Sequence, residues 1–167
     1  MLEFTLKQQG KIKRLTNKTF QLDQRYKDGF FSAAYFLKTE EIIKEYHPNN
    51  TVTIQFFQRK HSILCGIDEA IALIHTFAKN PQDLYIEALN DGDEISPLEP
   101  VLKITGRYQD FGFLEGPIDG ILARRTSVAS NCRRIIEAAN GVPVIFFGDR
   151  DDDPKNQPGD GYAAYIG

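Results

Sequence analysis

Tryptophan is absent from the 167 residues, methionine occurs once, cysteine twice and histidine three times. Each scarcity excludes something. Cys65 and Cys132 lie too far apart for a CxxC pair and are too few for a disulfide scaffold, so they read as reduced, buried thiols of a cytoplasmic protein. His47, His61 and His75 are scattered, with no second ligand at helix or knuckle spacing, and the sequence offers no metal site. No apolar stretch nears the ~18 residues of a membrane span. The longest, Val142 to Phe147, is strand-sized. The opening Met1-Leu2-Glu3-Phe4-Thr5 lacks the basic-then-apolar layout of a secretory signal. Charge of one sign is also scarce: 20 Lys and Arg face 23 Asp and Glu, a formal net charge of −3. That argues against a nucleic-acid partner. The early basic residues Lys11, Lys13, Arg14 and Lys18 read as a solvated face. What is plentiful is apolar and aromatic, with twelve Phe, seven Tyr and 41% hydrophobic residues. This suffices for a packed core and excludes a disordered chain.

Periodicity divides the chain in two. Residues 1–27 alternate loosely and predict short strands (Leu2, Phe4, Leu6; Ile12; Phe20, Leu22), closed by the turn signal Asp28-Gly29. Ser32 to Tyr46 predicts a helix stopped by Pro48. Thr51 to Phe57 alternates cleanly, Val52, Ile54 and Phe56 on one face, and predicts a half-buried strand. Asp68 to Lys79 carries apolar residues at helical spacing and ends at Asn80-Pro81. Leu84 to Ala88 and Pro100 to Thr105 predict two more strands. Residues 1–106 therefore read as an N-terminal α/β sandwich domain of α+β type.

After Gly106 the pattern changes. A long helix is expected from Pro117 to a left-handed cap at Asn140-Gly141. Val142 to Phe147 follows it and is apolar on both faces, as in a strand covered on both sides. Helix, glycine turn and two-faced strand open an α/β barrel. Residues 107–167 read as the start of such a barrel, with one strand where a full barrel needs roughly 200–250 residues. The expectation is an N-terminal portion of a longer chain.

Chemistry concentrates behind that strand, where α/β folds place ligands. Asp149 and Arg150 stand at its carboxyl end, followed by Asp151, Asp152 and Asp153. Arg offers a planar fork for carboxylate or phosphate. The carboxylates read as solvated more readily than as a Mg²⁺ site. Gly159-Asp160-Gly161-Tyr162-Ala163-Ala164 mimics a dinucleotide loop but follows a polar stretch instead of a strand. Arg124 and Arg125 interrupt an apolar helix, so one is expected to pair with a carboxylate such as Glu115 or Asp119. Tyr35 and Phe36 read as core aromatics, with outward presentation of Tyr35 to a ring as the alternative.

These motifs, in order, resemble nicotinate phosphoribosyltransferase: Ala34-Tyr35-Phe36-Leu37-Lys38-Thr39, Gly106-Arg107-Tyr108-Gln109-Asp110-Phe111-Gly112, Glu115, Gly120-Ile121-Leu122-Ala123, Phe146-Phe147-Gly148-Asp149-Arg150, and Gly159 to Gly167. The resemblance implies the type II phosphoribosyltransferase fold, an N-terminal α/β sandwich and an incomplete α/β barrel. It implies transfer of phosphoribose from phosphoribosyl pyrophosphate to nicotinate in NAD salvage. Mg²⁺ would accompany the pyrophosphate, with ATP as co-substrate. Phe147 then matches the aromatic that stacks on the pyridine ring. Arg150 matches the arginine for the nicotinate carboxylate or a phosphate; Asp149, Asp151 and Asp153 stay candidates to line the site from their place beside it. Tyr35 matches a tyrosine that reaches the neighbouring subunit's site, which implies a homodimer with a shared active site. Relatives commonly carry an acidic residue where this chain has Ala33, and some carry a second arginine where it has Asp151 and a histidine where it has Asp153. The chain alone is expected to be catalytically incomplete. Nicotinamide or quinolinate is the alternative substrate, and a non-catalytic interaction domain the alternative function.

Overall fold

The computed structural model describes residues 4–6, 14–15, 18–148, 150 and 152–167, residues 4–6 as backbone only. The expectations for Leu2, Lys11, Ile12, Lys13, Asp149 and Asp151 lie outside the described residues. The elements run β1 (Phe4–Leu6), α1 (Ala34–Tyr46), β2 (Thr51–Phe57), β3 (Ser62–Ile63), α2 (Ile67–Phe77), β4 (Tyr85–Ala88), β5 (Glu94–Ile95), β6 (Pro100–Arg107), α3 (Tyr108–Phe111), α4 (Glu115–Ala139) and α5 (Gln157–Ile166). The fold is α+β. Its main sheet has the order β1-β4-β6-β2, with β1 parallel to β4 and the other neighbours antiparallel, while β3 and β5 form a separate two-stranded ribbon.

Alternation in β2 appears as alternating burial, because successive side chains of a strand leave opposite faces. On the outer face Thr53 and Thr105 stand directly opposite and share a hydroxyl hydrogen bond of 2.8 Å. On the inner face Ile86, Leu102 and Ile104 join one core with Ile67, Ile71, Ile74 and Phe77 of α2 and with Ile118 and Leu122 of α4. Residues from both sides of Gly106 thus share that core.

The densest motif of the resemblance is a structural joint. Gly106 lies so close to Leu84 that a Cβ would fall 2.4 Å from Cδ2. Arg107 donates through Nε to Asp110 at 2.9 Å, and Gln109 donates to the Pro48 carbonyl at 2.6 Å. Together they turn β6 into α3 and fix α1 beside it. α4 ends as its sequence requires, with Asn140 at φ 47° and Gly141 at φ 88°.

Three expectations are corrected. Phe20 and Leu22 form no strand; the chain instead makes a 3-10 turn over Gln24–Asp28, capped by Asp23. Arg14 is not part of a solvated face. It reaches inward to Asp68 at 2.6 Å, the Leu89 carbonyl at 2.8 Å and Asn90 at 2.9 Å. The third is the two-faced strand. Residues 142–148 form no ladder, and Val142, Val144, Ile145, Phe146 and Phe147 are all exposed, Ile145 by 83%. A strand buried on both faces depends on its neighbours, and among the described residues none pairs with this one.

Candidate functional site

A chain of charges links three helices to the loop before α5. On α4, Arg125 donates through Nε to Glu69 of α2 at 2.9 Å and through Nη1 to Asp160 of α5 at 2.6 Å. Arg124 takes the other side of Asp160, with Nε 3.2 Å from each oxygen and Nη2 at 2.8 Å. Arg124 also donates to Asp152 in the loop. Asp160 and Arg125 are buried, and each has opposite charge on two sides, the condition under which buried ions are tolerated. Burial by itself would lower the Arg125 guanidinium's pKa; hydrogen bonding to Glu69 and the charges of Glu69 and Asp160 outweigh it and hold the pKa raised. Arg124 is likewise held up, chiefly by its bonds to Asp160. The expected carboxylate partners therefore exist but are not Glu115 or Asp119. Those two are pushed upward by burial, Glu115 further by the charge of Asp119.

Beside this network opens a cavity of about 450 Å³, lined by Arg124, Val128, Phe146, Phe147, Asp152 and Asp160 among others. Phe147, 61% exposed, offers its ring there. The Arg150 guanidinium lies over that ring, Cζ 5.2 Å from the centroid, within cation–π range. The structure therefore brings Phe147 and Arg150 together. Asp153 is exposed and accepts the Lys155 amide at 2.9 Å, lining a second cavity together with Arg124 and Arg125. Tyr35 is not the core aromatic its helix suggested; its outward presentation, the alternative, is what the structure shows. It stands 63% exposed on α1, its ring 4.1 Å from that of Phe36. Phe36, read as core beside it, is buried.

A second buried acidic group escaped sequence reasoning. Asp91 accepts the Ile67 amide at 2.8 Å and the Tyr162 hydroxyl at 3.2 Å. Burial first, then the neighbouring Asp68 carboxylate, push its carboxyl up to about 6. The group locks α5 to the start of α2, and its only sequence signal is a turn motif, Asn90-Asp91-Gly92-Asp93. Asp160 was legible only as an acidic residue between two glycines. Among the described residues, no group of three or more His, Cys, Asp or Glu is placed to hold a metal ion. No helix there is long and apolar enough to cross a membrane.

Residues 33–126, more than half of the chain, match the family described as quinolinate phosphoribosyl transferase, N-terminal domain. The chain belongs to that family. Nicotinate phosphoribosyltransferase pncB1 of Mycobacterium tuberculosis is 31% identical over 81 residues, 48% of this chain and 18% of the relative. The crystal structure of nicotinate-nucleotide pyrophosphorylase from Pyrococcus furiosus superposes with a TM-score of 0.78 at 28% identity, covering 92% of this chain and 39% of that one. Human nicotinic acid phosphoribosyltransferase superposes at 0.70 with 14% identity over 81% of this chain and 34% of its own, a likeness of fold. The matched part of this family member thus covers about a fifth of the curated relative's length and about two fifths of the Pyrococcus furiosus protein's. Its fold is that of the N-terminal part of type II phosphoribosyltransferases.

Proposed function

We propose that the protein serves a phosphoribosyltransferase that moves phosphoribose from phosphoribosyl pyrophosphate to the ring nitrogen of nicotinate, giving nicotinate mononucleotide and pyrophosphate. The observation that carries this reading is the Phe147–Arg150 pair. An exposed aromatic ring with a guanidinium over it suits an aromatic ligand bearing one carboxylate: the pyridine stacks on Phe147 once the mobile tip of Arg150 turns from the ring to take the carboxylate in its fork. Arg150 has no ion-pair partner among the described residues. Arg124, the cation that lines the cavity beside Phe147, is already committed to Asp152 and Asp160. Among the described residues, the lining of the cavity beside Phe147 offers a dianionic quinolinate no second uncommitted cation, and neutral nicotinamide would leave Arg150 unmatched.

The chain's own contribution is positioning. Phe147 fixes the ring plane and Arg150 its rotation within that plane, so the ring nitrogen is presented in line to the ribose carbon. Arg150 also neutralises the carboxylate as it binds. Mg²⁺ would accompany the pyrophosphate. Asp152 and Asp160 already serve guanidinium groups, so no residue of this chain is assigned to the ion. ATP as co-substrate and a cytoplasmic setting belong to the same reading. So does a homodimer, in which the exposed Tyr35 of one subunit would close on the ring held by its partner.

Product chromatography of the full-length protein with phosphoribosyl pyrophosphate, Mg²⁺, ATP and each pyridine tests the proposal. Nicotinate should be consumed, and Arg150→Ala should slow that by roughly a hundredfold or more. Preferential consumption of quinolinate, or undiminished turnover in Arg150→Ala, would overturn it.

A further inference from the structure

We infer that Arg124 is a positioning residue: through Asp152 it ties the loop that carries Arg150 to helix α4 and so sets where Arg150 stands over Phe147. The inference rests on the reading that Phe147 and Arg150 grip the substrate.

Asp152 is the knot of that loop. It accepts from the Arg124 guanidinium, from the Asp153 amide at 2.7 Å and from the Asn156 side-chain amide at 3.2 Å. Two residues earlier comes Arg150, whose exposed side chain rests against Phe147. The other end of the tether is anchored in the protein. Arg124 grips Asp160 in a fork, Asp160 is held from behind by Arg125, and Arg125 by Glu69. An isolated exposed ion pair contributes little. Here only the last rung is half-exposed, and the guanidinium that makes it is already immobilised by a buried carboxylate, so little side-chain freedom remains to be lost.

Charge assigns the role as well. Three carboxylates (Glu69, Asp160, Asp152) surround two guanidinium groups, so Arg124 has no surplus positive charge to offer a substrate anion. Its position still matters to the substrate, because it walls the same cavity as Phe147. An ammonium in its place can meet one carboxylate as a point charge but cannot hold Asp160 and Asp152 together in fixed geometry. The tether therefore predicts a graded dependence on the residue at 124.

Steady-state kinetics of the full-length protein tests this. Arg124→Ala and Asp152→Ala should each raise KM for nicotinate by roughly tenfold, with KM for phosphoribosyl pyrophosphate unchanged. Combining them should do no more than either alone, since both cut one tether. Arg124→Lys should recover part of the loss. Asp152→Ala should keep the parent's melting temperature, which separates a positioning role from a merely structural one. Additive effects, or an unchanged nicotinate KM in Asp152→Ala, would overturn the inference while leaving the substrate grip standing. If Arg150→Ala itself leaves the nicotinate KM unchanged, the grip fails and the tether's role falls with it.

Discussion

Gly159 and Arg125 fit against each other so closely that a Cβ on the glycine would lie 2.0 Å from the guanidinium carbon. A flexible arginine tip would normally step aside. This one is held by Glu69 and Asp160 inside the protein, so the added methyl must displace a buried ion pair or shift the first turn of α5. Gly159→Ala should therefore destabilise the protein by roughly 1–3 kcal/mol. Gly161 provides the control two residues on, because a Cβ there meets nothing within 4 Å. Gly161→Ala should stabilise by about 0.5–1 kcal/mol through helix propensity alone. Urea unfolding of the two variants reads both signs.

Asp91 gives stability a pH dependence of unusual sign. Its carboxyl is raised from 3.8 to about 6 by burial and by Asp68. Asp68 is itself raised by its burial, although the Leu15 amide and Arg14 oppose that. Tyr162 and the buried Cys65 complete the surroundings. Between those two pH values the folded protein binds more protons than the unfolded one, so this group makes stability fall as pH rises. The cost is absent below 3.8, complete above about 6, and on the order of 2–3 kcal/mol. Asp91→Asn can keep the bond from the Ile67 amide and donate to the Tyr162 oxygen. It should be more stable than the parent at pH 7.5 and indistinguishable from it near pH 4. Urea unfolding across that range checks this; a difference constant with pH would contradict it.

Local signals were legible wherever one element settles its own fate. β2 occupies Thr51–Phe57 as its alternation predicts, and α4 ends at the left-handed Asn140 that its sequence announces. The need of Arg124 and Arg125 for carboxylates was equally plain. Their partners were not, because Glu69 lies 56 residues and Asp160 35 residues from Arg125, and pairing across such distances leaves no periodic trace. Arg14 misleads for the same reason: its basic neighbours suggest solvent, whereas its partner sits on α2. Val142–Phe147 shows a different limit. Its composition states what the segment needs on both faces, but a ladder requires neighbouring strands that composition cannot supply. At the site, Arg150 was a candidate from its place behind that segment and Phe147 only through the family resemblance, while the Asp152 knot required the folded loop.

Two isoleucines separate the packed core from the apolar surface. Ile104 in β6 is fully buried and Ile145 is mostly exposed. Ile104→Ala should cost about 2–5 kcal/mol. Ile145→Asp should leave the unfolding midpoint within the ±0.5 kcal/mol typical of surface changes while reducing self-association, because it breaks a contiguous apolar patch. Denaturation and analytical ultracentrifugation of both variants decide the point. A large loss of stability in Ile145→Asp would show that residues 142–147 are packed after all.

The most direct test of the central claim is calorimetric titration of nicotinate into the full-length protein and into Phe147→Ala and Arg150→Ala. Nicotinate should bind the parent, lose about tenfold or more in affinity with either substitution, and be outcompeted by neither nicotinamide nor quinolinate. Equal binding by all three proteins would contradict the assignment of the Phe147–Arg150 pair as the grip on a pyridine monocarboxylate.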